Sequence, residues 1–196
     1  MIVIVDYRAG NLTSVKKALD RVGAASVVSD DPAVVVRADK IVLPGVGHFA
    51  ATATLARTGL RQSIQSAIER GAPFLGICVG MQWMFAASEE APRVPGLELF
   101  PGECRKFPKE YKSPHVGWNA LQCDSESRLL CGVGSGSFVY FTHSYRAPIV
   151  EGTVARCDYG GEFSAAVEKD HLFGVQFHPE KSGAVGLALL ETFCRL

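Results

Sequence analysis

The chain carries no excess charge of either sign, because twenty Lys and Arg offset twenty Asp and Glu. That balance provides no electrostatic footprint for nucleic acid or an anionic membrane, and we expect neither as a partner. It also leaves little self-repulsion, so a large face buries against a partner protein at small electrostatic cost. No stretch approaches the length of a membrane-spanning helix. The opening Met-Ile-Val-Ile-Val has no basic flank and meets Asp6 too soon for a secretory leader. Six cysteines, at positions 78, 104, 123, 131, 157 and 194, form no Cys-x-x-Cys pair and lie too far apart for a zinc site or a disulfide scaffold. These absences predict a cytoplasmic protein whose cysteines, Cys78 excepted, are small buried hydrophobes. Repeats, low-complexity tracts, linkers, a Walker A pattern and a Gly-x-Gly-x-x-Gly phosphate loop are also missing. With 196 residues, 47% of them hydrophobic, the chain reads as one domain spanning 1–196.

In the first half, short apolar runs alternate with helical spacing, the pattern of βαβ units and a parallel sheet. Strands are predicted over Ile2–Asp6, Ser26–Ser29, Lys40–Leu43 and Pro73–Ile77. Helices are predicted from about Leu12 to Val22, capped by Asn11 or Thr13, after Asp31-Pro32, from about Leu60 to Arg70, and from near Gly80. The second half is richer in Pro and Gly. Strands are expected over Phe138–Thr142, Gly152–Cys157, Phe163–Val167 and Leu172–Phe177, several of them antiparallel, before a last helix from about Ala184 to Cys194. The fold expected is α/β, an open, mostly parallel mixed sheet of flavodoxin-like form with helices on both faces. Ligands in such sheets bind beyond the carboxyl ends of the strands, where Pro44–Gly47 and Cys78 fall.

Gly76-Ile77-Cys78-Val79-Gly80 is a cysteine version of the nucleophile elbow, a sharp strand-to-helix turn that exposes the central side chain. The helix start beside Cys78 favours a thiolate. Taken alone, the segment reads equally well as a buried cysteine closing a strand. Gln176-Phe177-His178-Pro179-Glu180 adds what a thiolate needs, an imidazole to carry protons and a carboxylate to orient it. Residues two apart in extended chain point the same way, so Glu180 reaches the His178 ring. Pro44-Gly45-Val46-Gly47 is a glycine-flanked loop able to aim a backbone N–H at a developing oxyanion, with the N–H of Val79 as the second donor. Of the other histidines, His48 reads as the opening of a helix and His171 as a solvated turn residue.

In this order and spacing, the three motifs resemble the class I (triad) glutamine amidotransferases, over essentially the whole chain. Four segments resemble most closely the glutaminase subunits of imidazole glycerol phosphate synthase within that family: Asp6–Leu12, Pro44–Gly47, Pro114–Asn119 and Tyr140–Tyr145. Many relatives carry a second glycine where this chain has Val46. The resemblance implies that Cys78 is the nucleophile, His178 the general base and acid, and Glu180 its orienting partner. It implies an oxyanion hole from the N–H groups of Val46 and Val79, and glutamine held by Gly47, Gln82, Ser144 and Tyr145. It places Asn11, Val116, Trp118, Tyr140 and Lys181 on a face docked to a (β/α)₈-barrel synthase subunit in a heterodimer. No metal or organic cofactor is implied for the glutaminase step. Val79 stands where the family often has Leu, which keeps both the apolar side chain and the N–H. Two other readings remain at this stage, a glutaminase serving a different synthase and a catalytically silent binding module on the same scaffold.

Overall fold

The computed structural model describes residues 1–124 and 126–196. In chain order, β1 (Ile2–Val5) leads to α1 (Leu12–Arg21), β2 (Ser26–Ser29), α2 (Pro32–Val35) and β3 (Lys40–Gly45). Next come α3 (Ala53–Arg57), α4 (Leu60–Glu69), β4 (Phe74–Cys78) and the short α5 (Val79–Gln82). The second half holds β5 (Phe85–Ser88), β6 (Phe100–Lys106), β7 (His115–Ala120), β8 (Gln122–Cys123), β9 (Phe138–His143) and β10 (Tyr145–Arg146). It finishes with β11 (Thr153–Asp158), β12 (Glu162–Lys169), β13 (Leu172–Val175) and α6 (Gly183–Arg195). Asn11, not Thr13, caps α1, its side-chain oxygen accepting from the Ser14 N–H. Asp31 caps α2 in the same way, ahead of Pro32.

Eight strands form the main sheet in the order β2-β1-β3-β4-β13-β12-β11-β8. From β2 to β13 each neighbouring pair is parallel, and from β13 to β8 each is antiparallel. β2 and β3 lie on opposite sides of β1, so right-handed crossovers put α1 and α2 on opposite faces. Their packing agrees with this, since α1 meets α6 while α2 meets α4. The parallel strands inside the edge, β1, β3 and β4, are buried on both faces, which explains their unbroken apolar runs: Val3, Ile4, Val5, Ile41, Val42, Leu43, Phe74 and Leu75 are all inaccessible.

The remaining strands leave the main sheet. β10, β6 and β5 make a three-stranded sheet, and β7 pairs with β9 as a separate antiparallel ribbon. Two expectations need correction, and a third is met in a shorter form. Cys131 is exposed, and Cys123 and Cys194 are only partly covered, so only Cys104 and Cys157 join Cys78 in the buried class. His171 is partly buried, with Nε2 donating to the Ile68 carbonyl, which removes it from the solvated turn residues. The helix at Gly80 ends after one turn, and the chain re-enters extended structure at Phe85. Among the described residues, no helix is long and apolar enough to cross a membrane.

The turn between β4 and α5 requires its glycines. A Cβ on Gly76 would stand 2.6 Å from the Gly80 carbonyl oxygen, and one on Gly80 would penetrate the Leu43 carbonyl oxygen on β3. Backbone has nowhere to retreat in the centre of a sheet. Gly80→Ala is therefore expected to lower unfolding stability by about 3 kcal/mol or more in urea titrations. Gly134→Ala, at a position with open space around it, is expected to stay within about 0.5 kcal/mol of the parent.

Candidate active site

Three parallel neighbours, β3, β4 and β13, end side by side. Gly45 pairs with Cys78 and Val175 with Ile77, so the chain leaves all three strands at one level of the sheet. These exits deliver Val46 and Gly47 from β3, Cys78 from β4, and His178 after two further residues from β13. Cys78 itself has φ 53° and ψ −108°, left-handed backbone that a residue with a Cβ adopts only at a cost in strain. That turn lifts the thiol out of the strand direction while leaving the residue 3% exposed.

A cavity of about 280 Å³ opens over the sulfur, lined by Val46, Gly47, Cys78, Val79, Gln82, Ser144 and Tyr145 among others. All four residues expected to hold substrate therefore share one pocket with the expected nucleophile and both oxyanion donors. Glu90 and His143, which had no assigned role, also line it. Glu90 accepts from the Phe49 N–H at 2.7 Å and so ties down the segment after Gly47. His48 opens that segment as expected, its Nδ1 accepting from the Ala50 N–H.

His178 and Glu180 meet as their spacing predicted, with Nδ1 donating to Oε1 at 2.9 Å and both side chains 1% exposed. Among the described residues Nε2 is buried without a hydrogen-bond partner of regular geometry, so the Cys78 sulfur acts on it by proximity and charge. Burial disfavours the imidazolium, but Cys78 and Glu180 outweigh it and raise the pKa from 6.5 to about 10. The Tyr7 hydroxyl is also buried without a partner, and burial together with the Cys78 charge pushes its pKa up. No sequence signal separated Tyr7 from an ordinary core aromatic.

A second histidine, His143, lines the pocket, and a third, His115, stands behind it. His143 Nδ1 lies 2.9 Å from the Tyr145 carbonyl oxygen, which only accepts, so Nδ1 carries the proton. Nε2 of His143 is then an acceptor, and the His115 Nδ1 at 3.1 Å must donate to it. Burial holds both rings neutral, lowering His115 to about 4 and His143 to about 3.

The opposite side of the β7–β9 ribbon faces solvent. Register pairs Val116 with Thr142, Trp118 with Tyr140 and Ala120 with Phe138 on that side. Val116, Trp118 and Phe138 are each more than half exposed. Lys181 stacks its ammonium over the Tyr140 ring, and Trp118 meets the same ring edge-on. Four of the five expected docking residues thus form one cluster. Phe138 lies on the same face, and its two-residue offset from Tyr140 is the sequence signal that places it there. Asn11 stands apart at the start of α1, half-buried, its side chain occupied in capping. Among the described residues, no cluster of His, Cys, Asp and Glu is arranged to hold a metal ion.

The family described as Glutamine amidotransferase class-I matches residues 3–195. A relative from Moorella thermoacetica, the imidazole glycerol phosphate synthase subunit HisH, is 46% identical over 201 residues, covering 100% of this chain and 94% of the relative. The protein of the same name from Methanothermobacter thermautotrophicus is 45% identical over 197 residues, covering 100% and 98%. A solved glutamine amidotransferase superposes with a TM-score of 0.77 at 19% identity, over 98% of this chain and 99% of that one. PurLQS from Thermotoga maritima gives 0.74 at 22% identity, over 99% and 97%. At those identities the structures speak to the fold alone.

The histidines give opposite pH signatures. A raised pKa means that His178 contributes stability fully below about 6.5, the unfolded value, and loses it as pH rises through about 10. Glu180→Gln removes one of the two groups that raise it, so its ring is expected to deprotonate at lower pH than in the parent. Ring-nitrogen NMR titration checks this, with His115 and His143 expected to remain neutral at pH 6 in both proteins.

Proposed function

Since the chain belongs to the class I glutamine amidotransferase family, we propose that it is the glutaminase subunit of an imidazole glycerol phosphate synthase, with residues 1–196 acting as one domain. Identity of 46% to a protein of that name over the full length carries the assignment. The site supports it through one pocket that gathers the elbow cysteine, both oxyanion donors and the residues expected to hold glutamine.

In this reading the Cys78 sulfur attacks the carboxamide carbon of glutamine, and N–H groups of Val46 and Val79 stabilise the oxyanion that forms. The His178 imidazolium gives its proton to the leaving nitrogen, so ammonia departs and a thioester remains on Cys78. His178 then takes a proton from water as the water attacks the thioester. Return of that proton to sulfur releases glutamate and restores the thiol. Glu180 holds the imidazole in the tautomer that keeps Nε2 facing sulfur, through its bond to Nδ1. The pocket's hydrogen-bonding groups suit the amino and carboxylate ends of glutamine. Gln82 spends both its N–H bonds on the Tyr145 carbonyl and Gln176, leaving its carbonyl oxygen as the group it offers to a substrate N–H.

The partner is a synthase subunit of (β/α)₈-barrel fold, docked in a cytoplasmic heterodimer on the apolar stripe of Val116, Trp118, Phe138 and Tyr140 with Lys181 beside it, and reaching Asn11 apart from the stripe at the start of α1. Ammonia protonates in bulk water at neutral pH, so a shielded passage to the partner conserves the nucleophilic form.

Cys78→Ala tests the division of labour. It is expected to abolish product formation from glutamine in the assembled complex while leaving formation from added ammonia nearly unchanged. Loss of both would reject the assignment. Trp118→Ala and Lys181→Asp are expected to raise the dissociation constant of the complex about tenfold or more, roughly 1.4 kcal/mol, by calorimetry. Alkylation of Cys78 in the free chain should continue in both.

A further inference from the structure

Gln176 is completely buried, yet the reaction described above gives its side chain no task. Its amide has two side-chain partners. The oxygen accepts from Gln82 Nε2 at 3.0 Å, and Nε2 points at the Cys78 sulfur at 3.6 Å. The direction of these bonds follows from one backbone atom. The Tyr145 carbonyl oxygen can only accept, so the Gln82 atom 2.8 Å from it must be the nitrogen. That nitrogen also faces Gln176, which must answer with its oxygen. The Gln176 nitrogen is then left facing sulfur. Reversing either amide would set two oxygens, or two N–H groups, against each other in a space closed to water.

The sulfur therefore has two neighbours of opposite kind. The Thr142 carbonyl oxygen, 3.9 Å away, can only receive the S–H proton and so suits the thiol. The Gln176 N–H can only donate, and it donates best to an anion. We propose that Gln176 is a further catalytic residue, whose Nε2–H holds the Cys78 sulfur as the thiolate and aims it at the pocket, with Gln82 and the Tyr145 carbonyl fixing the amide's direction. The proposal rests on Cys78 being the nucleophile. It assigns Gln82 a second duty besides meeting substrate, because the same amide sets the polarity of the chain that ends on sulfur.

The titratable groups around the sulfur are His178 and Glu180 beyond β13, His143 at the end of β9, Tyr7 beyond β1, and Glu90 on the pocket wall. None is altered by a change at position 176, so a shift in the sulfur's behaviour reports on Gln176. The experiment measures iodoacetamide alkylation of Cys78 in the full chain from pH 5 to 10, read by peptide mass so that other cysteines do not interfere. Gln176→Met keeps length and volume but removes the donor. It is expected to move the alkylation midpoint up by about one pH unit, roughly a tenfold loss of thiolate at neutral pH, with the rate recovered at the alkaline plateau. Gln176→Leu also removes the donor and adds no charge beside the sulfur. Its midpoint should move in the same direction, which preserves the test if the Met variant folds poorly. Midpoints equal to the parent's in both variants would overturn the role of Gln176 and leave the glutaminase reading intact. A parent chain in which Cys78 is no more reactive than Cys131 would overturn both.

Discussion

Parallel register among β3, β4 and β13 is the constraint from which the site follows. Each strand ends at the same edge of the sheet, about 5 Å from its neighbour, so three chain exits separated widely in sequence open onto one small volume. An antiparallel β13 would send His178 out at the opposite edge, a sheet's height from the sulfur. The same register explains the glycines, since a helix that starts immediately after β4 must lie almost on the end of β3. Cys78 takes a left-handed turn because a looser connection would carry its side chain past the two neighbouring exits.

Around that edge, three buried imidazoles lie close together and are held in opposite charge states. Burial alone would make all three neutral. His178 escapes because a carboxylate and a sulfur flank it, whereas His143 has a backbone carbonyl and a second neutral ring for company. Neighbours, not depth, decide the outcome. The division suits the proposed chemistry, in which the charged ring gives up a proton, and the neutral pair is fixed, its tautomers set by one carbonyl oxygen.

The sequence reveals those parts of the molecule whose signals are local. Strands β1, β3 and β4 are buried on both faces and read as continuous apolar runs. The elbow and the His-x-Glu pair declare themselves through spacing, because a sharp turn needs small neighbours and an extended chain repeats every two residues. What stays hidden depends on distant partners. Nothing near Phe138 says that its strand pairs with His115–Ala120 and abandons the main sheet, so Phe138 was not grouped with Trp118. Cys131 and His171 were assigned by residue type, and tertiary packing overruled both. Gln176 stood in plain view beside His178, but its role depends on Gln82, ninety-four positions away, and on the direction of an amide that spacing does not encode.

The β7–β9 ribbon has consequences for how such a chain can vary. One of its sides borders the pocket through His143, with His115 behind it, and the other is the exposed stripe of Val116, Trp118, Phe138 and Tyr140. The backbone of Tyr140 also accepts from the His178 N–H and donates to the Ser182 hydroxyl oxygen, fastening the stripe to the turn that bears the imidazole. A one-residue slip of β7 against β9 would exchange its two sides, drawing Trp118 inward and expelling His115 into water. Both sides keep their roles only while that register holds. Drift in this segment is thus restricted to substitution within each side, and the two sides are inherited as a unit.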